Sequence, residues 1–90
     1  MNAIWKYEVE VTDEQNIDMP VGSNIISAQV QDDKICLWVE VDTDEKDVKD
    51  VVIEIFGTGN KISDTSKERR FIDTVQFHGG ALVFHVYAQV

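Results

Sequence analysis

Alternation of apolar and polar residues with a period of two constrains the fold of this chain more than any other feature. In the segment IWKYEVEV, Trp5, Tyr7, Val9 and Val11 fall on one face of an extended strand, and the intervening residues are polar. This period is typical of strands with one buried face. Five further segments show it, so we predict six strands, near residues 3–11, 25–31, 35–42, 51–57, 71–77 and 81–88.

The alternation also predicts which side chains of each strand face the core. The predicted inward sets of the later strands are Ile26, Ala28 and Val30; Ile35, Leu37, Val39 and Val41; Val51, Ile53 and Ile55; Phe71, Val75 and Phe77; and Leu82, Phe84, Val86 and Ala88.

The connections between these strands are short or polar. Gln31–Lys34 and the segment HGG are typical hairpin turns, and Met19–Gly22 is predicted to be a turn because of its proline and glycine. Residues 43–50 and 58–70 are predicted loops. Six short antiparallel strands fit one all-β domain over residues 1–90, folded as a small barrel or a two-sheet sandwich.

Composition limits the class of protein. With 43% hydrophobic and 28% charged residues, the chain is globular in character. The N-terminal segment lacks the features of a signal peptide, and no apolar run approaches the roughly 20 residues of a membrane span. A single cysteine, Cys36, excludes an internal disulfide framework. We therefore expect a protein that stays in the cell that makes it and has no membrane partner.

The net charge is −9, from 17 acidic and 8 basic residues. A uniformly acidic domain is repelled by nucleic-acid backbones, so we expect no direct nucleic-acid binding. The charge either serves solubility alone or meets a basic partner surface. The residues predicted to form such an acidic surface are Asp42, Asp44, Glu45, Asp47 and Asp50.

The second faces of the later strands are only partly polar. Trp38, Phe56, His85 and Tyr87 all lie opposite the predicted core sets. Apolar surface left in water forfeits about 25 cal/mol per Å², so these residues need a cover. We predict that the four converge and are shielded by a second subunit or a partner; a covering loop or plain core packing is the alternative.

Motifs for catalysis or metal binding are absent from the sequence. The acidic run from Asp42 lacks the ligand pattern of a calcium loop, because Lys46 and Asp47 occupy positions that need an oxygen ligand and a glycine. Cys36 could act as a nucleophile only if His85 lay beside it. We predict no catalytic residue, no metal site and no cofactor.

Five segments resemble a family of small uncharacterised proteins of tailed phages and prophages, known as a domain of unknown function. They are IWKY, MPVGSNIISAQVQ, LWVEVD, FGTGN and GGALVFHV, in this order along nearly the whole chain. The chain departs from the family pattern at Ser23, where the family has alanine, and in residues 43–50, which lack the family's proline. The resemblance implies a phage-encoded accessory protein in the host cytoplasm and implies no activity.

Three functions fit these observations. The first is a non-enzymatic inhibitor that binds a basic surface of a host protein, with a defence factor as the obvious class of target. The second is a sponge for a phosphorylated or cyclic nucleotide, with Trp38, Phe56 and Tyr87 as stacking walls, His85 as a polar contact, and Lys61, Arg69 and Arg70 as phosphate contacts. The third is a homo-oligomeric structural module.

Overall fold

The computed structural model describes residues 1–62 and 64–90 and places seven strands within them. A 3₁₀ turn at His78–Gly80 joins the last two strands. Every strand pairing is antiparallel. The strands are β1 (Asn2–Val9), β2 (Glu14–Pro20), β3 (Asn24–Gln31), β4 (Lys34–Asp42), β5 (Val48–Gly57), β6 (Arg69–Phe77) and β7 (Leu82–Gln89).

The strands form two sheets, ordered β1-β4-β3 and β2-β5-β7-β6. The sheets pack face to face, so the all-β prediction is confirmed and the architecture is a sandwich that does not close into a barrel. Alternate residues of β4 and β5 fill the space between the sheets and are buried together with Met19 and Val86. The core positions predicted for β4 and β5 are therefore confirmed.

The predicted number of strands is too low by one, because no strand was predicted between residues 11 and 25, where β2 lies. Gln15, Ile17 and Met19 do alternate along it, but acidic residues and Pro20 surround them. Met19 is fully buried, and every residue of β2 pairs with β5. The turn expected at Met19–Gly22 is confined to Val21 and Gly22.

Two β-bulges change which residues face the core. The register between β3 and β4 shifts at Ile26, and the register between β6 and β7 shifts at Ile72. A bulge adds one residue to a strand, so side chains on its two sides no longer follow one alternation. Ile26 and Phe71, both predicted to face the core, are instead exposed, Phe71 at 52% of its surface.

The two lateral edges of the sandwich differ. At one edge, Nη2 of Arg70 donates to the carbonyl oxygen of Ile25 (2.7 Å), and the amide of Ala28 donates to Oδ2 of Asp73 (3.3 Å), which ties β6 to β3. At the other edge, no such hydrogen bond joins β1 to β2 within the described residues.

Across those same residues, no helix has the length and apolar character to cross a membrane.

Candidate functional site

The candidate site is the outer face of the four-stranded sheet. Val51, Ile53 and Ile55 of β5 face the core, so Glu54 and Phe56 face outward. On the adjacent β7, Tyr87 lies opposite Glu54 and His85 lies opposite Phe56. Three of the four residues predicted to converge, Phe56, His85 and Tyr87, therefore lie together on this face.

An aromatic cluster crosses three strands of this face. The Tyr87 ring makes edge contacts with Phe56 (5.8 Å between centroids) on one side and with Phe71 (5.4 Å) on the other. Phe56 is only 8% exposed, whereas Phe71 at the sheet edge is half exposed. The bulge at Ile72 places Phe71 on this face, which alternation along the sequence could not predict.

His85 is held by two hydroxyl groups. Nε2 lies 2.7 Å from Oγ1 of Thr58, and Nδ1 lies 2.9 Å from Oγ1 of Thr74. A neutral imidazole has one donor and one acceptor nitrogen, and a hydroxyl can satisfy either. Both ring nitrogens are therefore engaged within the chain, which removes the expected free polar contact of His85 to a ligand.

Glu54 is the buried charge of the face, with 3% of its surface exposed. The Arg69 guanidinium donates to both carboxylate oxygens (2.9 and 3.0 Å), and Nε2 of Gln89 donates to Oε1 (2.9 Å). Burial alone raises the pKa of the Glu54 carboxyl, but the bonds from Arg69 and Gln89 and the charges of Arg69 and Lys67 outweigh it. The net result is that the pKa of the Glu54 carboxyl lies below its ordinary value.

The β5–β6 loop covers this part of the face. Arg69 donates to the carbonyl oxygen of Asp64, and Nζ of Lys67 reaches Oε1 of Glu14 (3.2 Å). The Arg69 guanidinium also lies 5.6 Å from the centre of the Phe56 ring. The chain itself therefore shields Phe56, which corrects the prediction that a second subunit or partner is needed there. Because β6 begins at Arg69, the loop predicted at residues 58–70 was two residues too long at its C-terminal end. Ser63 lies outside the described residues.

The three basic side chains predicted to bind phosphate do not form one cluster. Arg69 is paired with Glu54, and Arg70 points to the opposite side of β6, where it bonds to β3. Lys61 is exposed and lines a pocket of about 110 Å³ that also contains Phe56. Ligand pockets commonly have volumes of about 300–1,000 Å³. The expected cluster of three phosphate contacts is therefore wrong for this chain.

Trp38 belongs to the other side of the sandwich. It lies on β4 between the core residues Leu37 and Val39 and faces outward from the three-stranded sheet. The prediction that Trp38 joins Phe56, His85 and Tyr87 is wrong, because β4 pairs with β1 and β3 and not with β5 or β7. The same separation keeps the buried Cys36 away from His85.

The predicted acidic residues extend from the end of β4, through the β4–β5 loop, to the start of β5. Asp50 stands directly opposite Asp18 of β2, which sequence reasoning missed because β2 was missed. Nδ2 of Asn16 donates to Oδ2 of Asp50 (2.7 Å), and no salt bridge neutralises Asp18 or Asp50 among the described residues. We call the surface formed by Asp18, Asp42, Asp44, Glu45, Asp47 and Asp50 the acidic patch.

Asp42 and Asp44 differ from the rest of the acidic patch. The amino group of Met1 lies 3.3 Å from Oδ1 of Asp42 and 2.9 Å from Oδ2 of Asp44. The backbone amide of Asp44 also donates to Asp42 (3.0 Å). This bond, followed by the Met1 amino group, lowers the pKa of the Asp42 carboxyl. No group of three His, Cys, Asp or Glu side chains in the described residues is arranged to hold a metal ion.

Comparison with known proteins identifies the family. The family model described as a domain of unknown function, DUF7352, matches residues 1–90. The chain belongs to this family. No curated protein and no solved structure matches it. The family description carries no activity.

Proposed function

We propose that this member of the DUF7352 family is a non-enzymatic binding protein that docks its acidic patch on a basic surface of another protein. The observation that supports this most directly is the Asp18–Asp50 pair. Like charges directly opposite each other on neighbouring strands destabilise a sheet, yet this chain leaves both carboxylates exposed. A partner cation placed between them would remove the repulsion and add an attraction.

The other acidic residues of the patch lie at the end of β4 and on the β4–β5 loop. Asp47, the last residue of that loop, accepts a hydrogen bond at its carbonyl from the amide of Val21, which fixes the loop beside the end of β2. Lys46 and Lys49 are the only bases in residues 42–50, against five acids in the same segment. A surface of one charge sign speeds encounter with a complementary partner and selects its orientation.

The class of partner follows from the charge and from the resemblance to phage proteins. A basic protein surface commonly handles nucleic acid, whose phosphates are also anionic. We propose that the protein is phage-encoded and acts in the host cytoplasm as an inhibitor that occupies such a surface on a host defence factor. Inhibition would need binding alone and no reaction.

Nucleotide binding, the second function considered from the sequence, has less support. Arg69 and Arg70 are both engaged in bonds within the chain, and they point to opposite sides of β6. Both ring nitrogens of His85 are likewise occupied. A nucleotide would have to break these bonds before it gained its own.

The test uses two variants that remove the same charge from different places. Asp18→Asn/Asp50→Asn removes two carboxylates from the acidic patch. Asp32→Asn/Asp33→Asn removes two from the β3–β4 hairpin at the opposite end of β4, where asparagine tolerates the positive φ angles of 53° and 62°. The wild type and both variants are used as baits for affinity purification from host extract, with quantitative mass spectrometry of the captured proteins.

We expect one basic protein to be captured by the wild type and by the hairpin variant but not by the patch variant. Binding of that purified protein should weaken steeply with added salt, because screening acts on exposed charges. Equal capture by all three baits would remove the acidic patch from the contact. Equal loss from both variants would show that net charge alone governs the capture, which also contradicts the proposal.

A further inference from the structure

The free edge of β1 is built differently from the other sheet edges. All eight residues of β1 pair with β4 without a register shift, whereas β3 and β6 each contain a bulge. The remaining edge strand, β2, ends in Pro20. Bulges and proline protect edges from pairing with another chain. Strand β1 combines a regular backbone with exposed Ile4 and Trp5.

The sequence of β1 is also complementary to itself in the antiparallel direction. Lys6 and Glu8 flank Tyr7 symmetrically, and Trp5 and Val9 stand outside them. We propose that β1 pairs with β1 of a second copy of this chain about a two-fold axis at Tyr7. The two three-stranded sheets then become one sheet of six strands, which is independent of the acidic patch proposed above.

Charge fixes the register of this pairing. With Tyr7 opposite Tyr7 of the second copy, each Lys6 lies opposite a Glu8, and the interface contains two opposite-charge pairs. Lys6 and Glu8 are both exposed on the outer face of the sheet. Within one copy, Nζ of Lys6 donates to Oε1 of Gln31 (3.0 Å), and Glu8 lies 4.0 Å from Lys6 and 3.4 Å from Lys34. These are exposed contacts, which contribute little to stability, and pairing of the two copies exchanges them for contacts across the interface. Sliding the strands by two residues places Lys6 opposite Lys6 or Glu8 opposite Glu8, which repel each other. The charges therefore favour the register with the two-fold axis at Tyr7 over the two neighbouring registers.

The same register covers apolar surface on the inner side of the sheet. Trp5 has 41% of its surface exposed, although it points to the same side as the buried Val9. In the paired arrangement each Trp5 lies opposite Val9 of the second copy. Directly opposite aromatic and β-branched side chains are among the favourable cross-strand pairs. Burial of Trp5 and the main-chain hydrogen bonds of the new ladder then drive association.

The experiment measures the oligomeric state of the whole chain by light scattering and analytical ultracentrifugation over a range of concentrations. The wild type is expected to dimerise. Lys6→Glu and Glu8→Lys each place like charges opposite each other, and each is expected to raise the dimer dissociation constant by about tenfold or more. Lys46→Glu and Glu68→Lys change the net charge by the same amounts at exposed loop positions. These two control variants should leave the dimer dissociation constant unchanged.

Variants that restore the charge complementarity distinguish a broken interface from a general loss of folding. The Lys6→Glu/Glu8→Lys double variant exchanges the two charges and should dimerise like the wild type. An equimolar mixture of the two single variants should form a heterodimer, since glutamate then faces lysine at every position. A wild type that stays monomeric, a dimer that both single variants leave unchanged, or a double variant that does not recover would each overturn the proposal.

Discussion

Strands β2 and β5 hold two pairs of acidic residues in which one carboxylate faces another, and the two pairs have different surroundings. Glu14 faces Glu54, and four residues further along the ladder Asp18 faces Asp50. Arg69, Gln89 and Lys67 surround the first pair. The second pair receives one hydrogen bond, from Asn16, and no salt bridge within the described residues.

The difference shows that strand pairing alone does not set the energy of these charges. Both pairs have the same cross-strand geometry, but β7, β6 and the β5–β6 loop extend over only one of them. At that covered end the charge stabilises the fold. At the open end the charge remains in water, where it is available to a partner.

The largest effect is expected from the aromatic ring at the covered end. Phe56→Ala removes a ring that packs under Arg69 and against Tyr87, and it should lower the free energy of unfolding by about 3 kcal/mol. Phe71→Ala, on the exposed side of Tyr87, should cost about 1 kcal/mol. Urea denaturation of both variants measures the contrast; equal losses would mean that the loop does not shield Phe56.

Breaking the covered charge pair should have the next largest effect. Glu54→Gln leaves the Arg69 guanidinium without its buried counter-charge and should lower the free energy of unfolding by about 2–3 kcal/mol. Glu14→Gln is the matched control, because Glu14 is exposed and bonds to Lys67 in solvent, and it should cost about 0.5 kcal/mol. The same denaturation measurement applies, and a Glu54 effect as small as the Glu14 effect would contradict the comparison.

The pH dependence of the protein's stability should also report on the Glu54–Arg69 pair. The pKa of Glu54 is lowered by folding from its ordinary value of 4.5, so its stabilisation is fully present above that pH and is lost as the pH falls through the folded-state pKa. Hydrogen bonds from the side chain and the amide of Ser66 lower the pKa of Asp64 in the same direction. Melting temperatures of the wild type should therefore fall on acidification below pH 4.5, and Glu54→Gln should fall less steeply. Parallel curves would remove Glu54 from the acid sensitivity.

The smallest effect is expected at the open end, with the opposite sign. Asp18→Asn/Asp50→Asn removes the repulsion between the two carboxylates and should raise the free energy of unfolding by about 0.5 kcal/mol. Asp32→Asn/Asp33→Asn removes the same charge from the hairpin turn and is the control for net charge. A thermal melt in low salt resolves the difference. Destabilisation by the patch variant would show that contacts within the chain, such as the bond from Asn16 to Asp50, outweigh the repulsion between the two aspartates.

The sequence alone determined the fold class and most of the strands. Alternation is a property of each strand by itself, so β4, β5 and β7 could be predicted, together with buried positions such as Ile35, Ile53 and Val86. Leu82, predicted to face the core at the start of β7, is instead 48% exposed. The two-residue turn at Asp32 and Asp33 was predictable for the same local reason. Strand β2 escaped because acidic side chains and Pro20 mask its few apolar positions, and its stability comes from pairing with β5.

Only the tertiary structure decided which faces meet. Alternation assigns side chains to two sides of a strand, but it does not say which strands share a sheet, since pairing joins residues far apart in sequence. Trp38 and Phe56 therefore looked equivalent, although the pairing of β4 with β1 and of β5 with β7 puts them on opposite sides of the sandwich. The bulge at Ile72 likewise moved Phe71 outward, because one extra residue reverses the alternation and only the packing against β7 fixes where that residue is inserted.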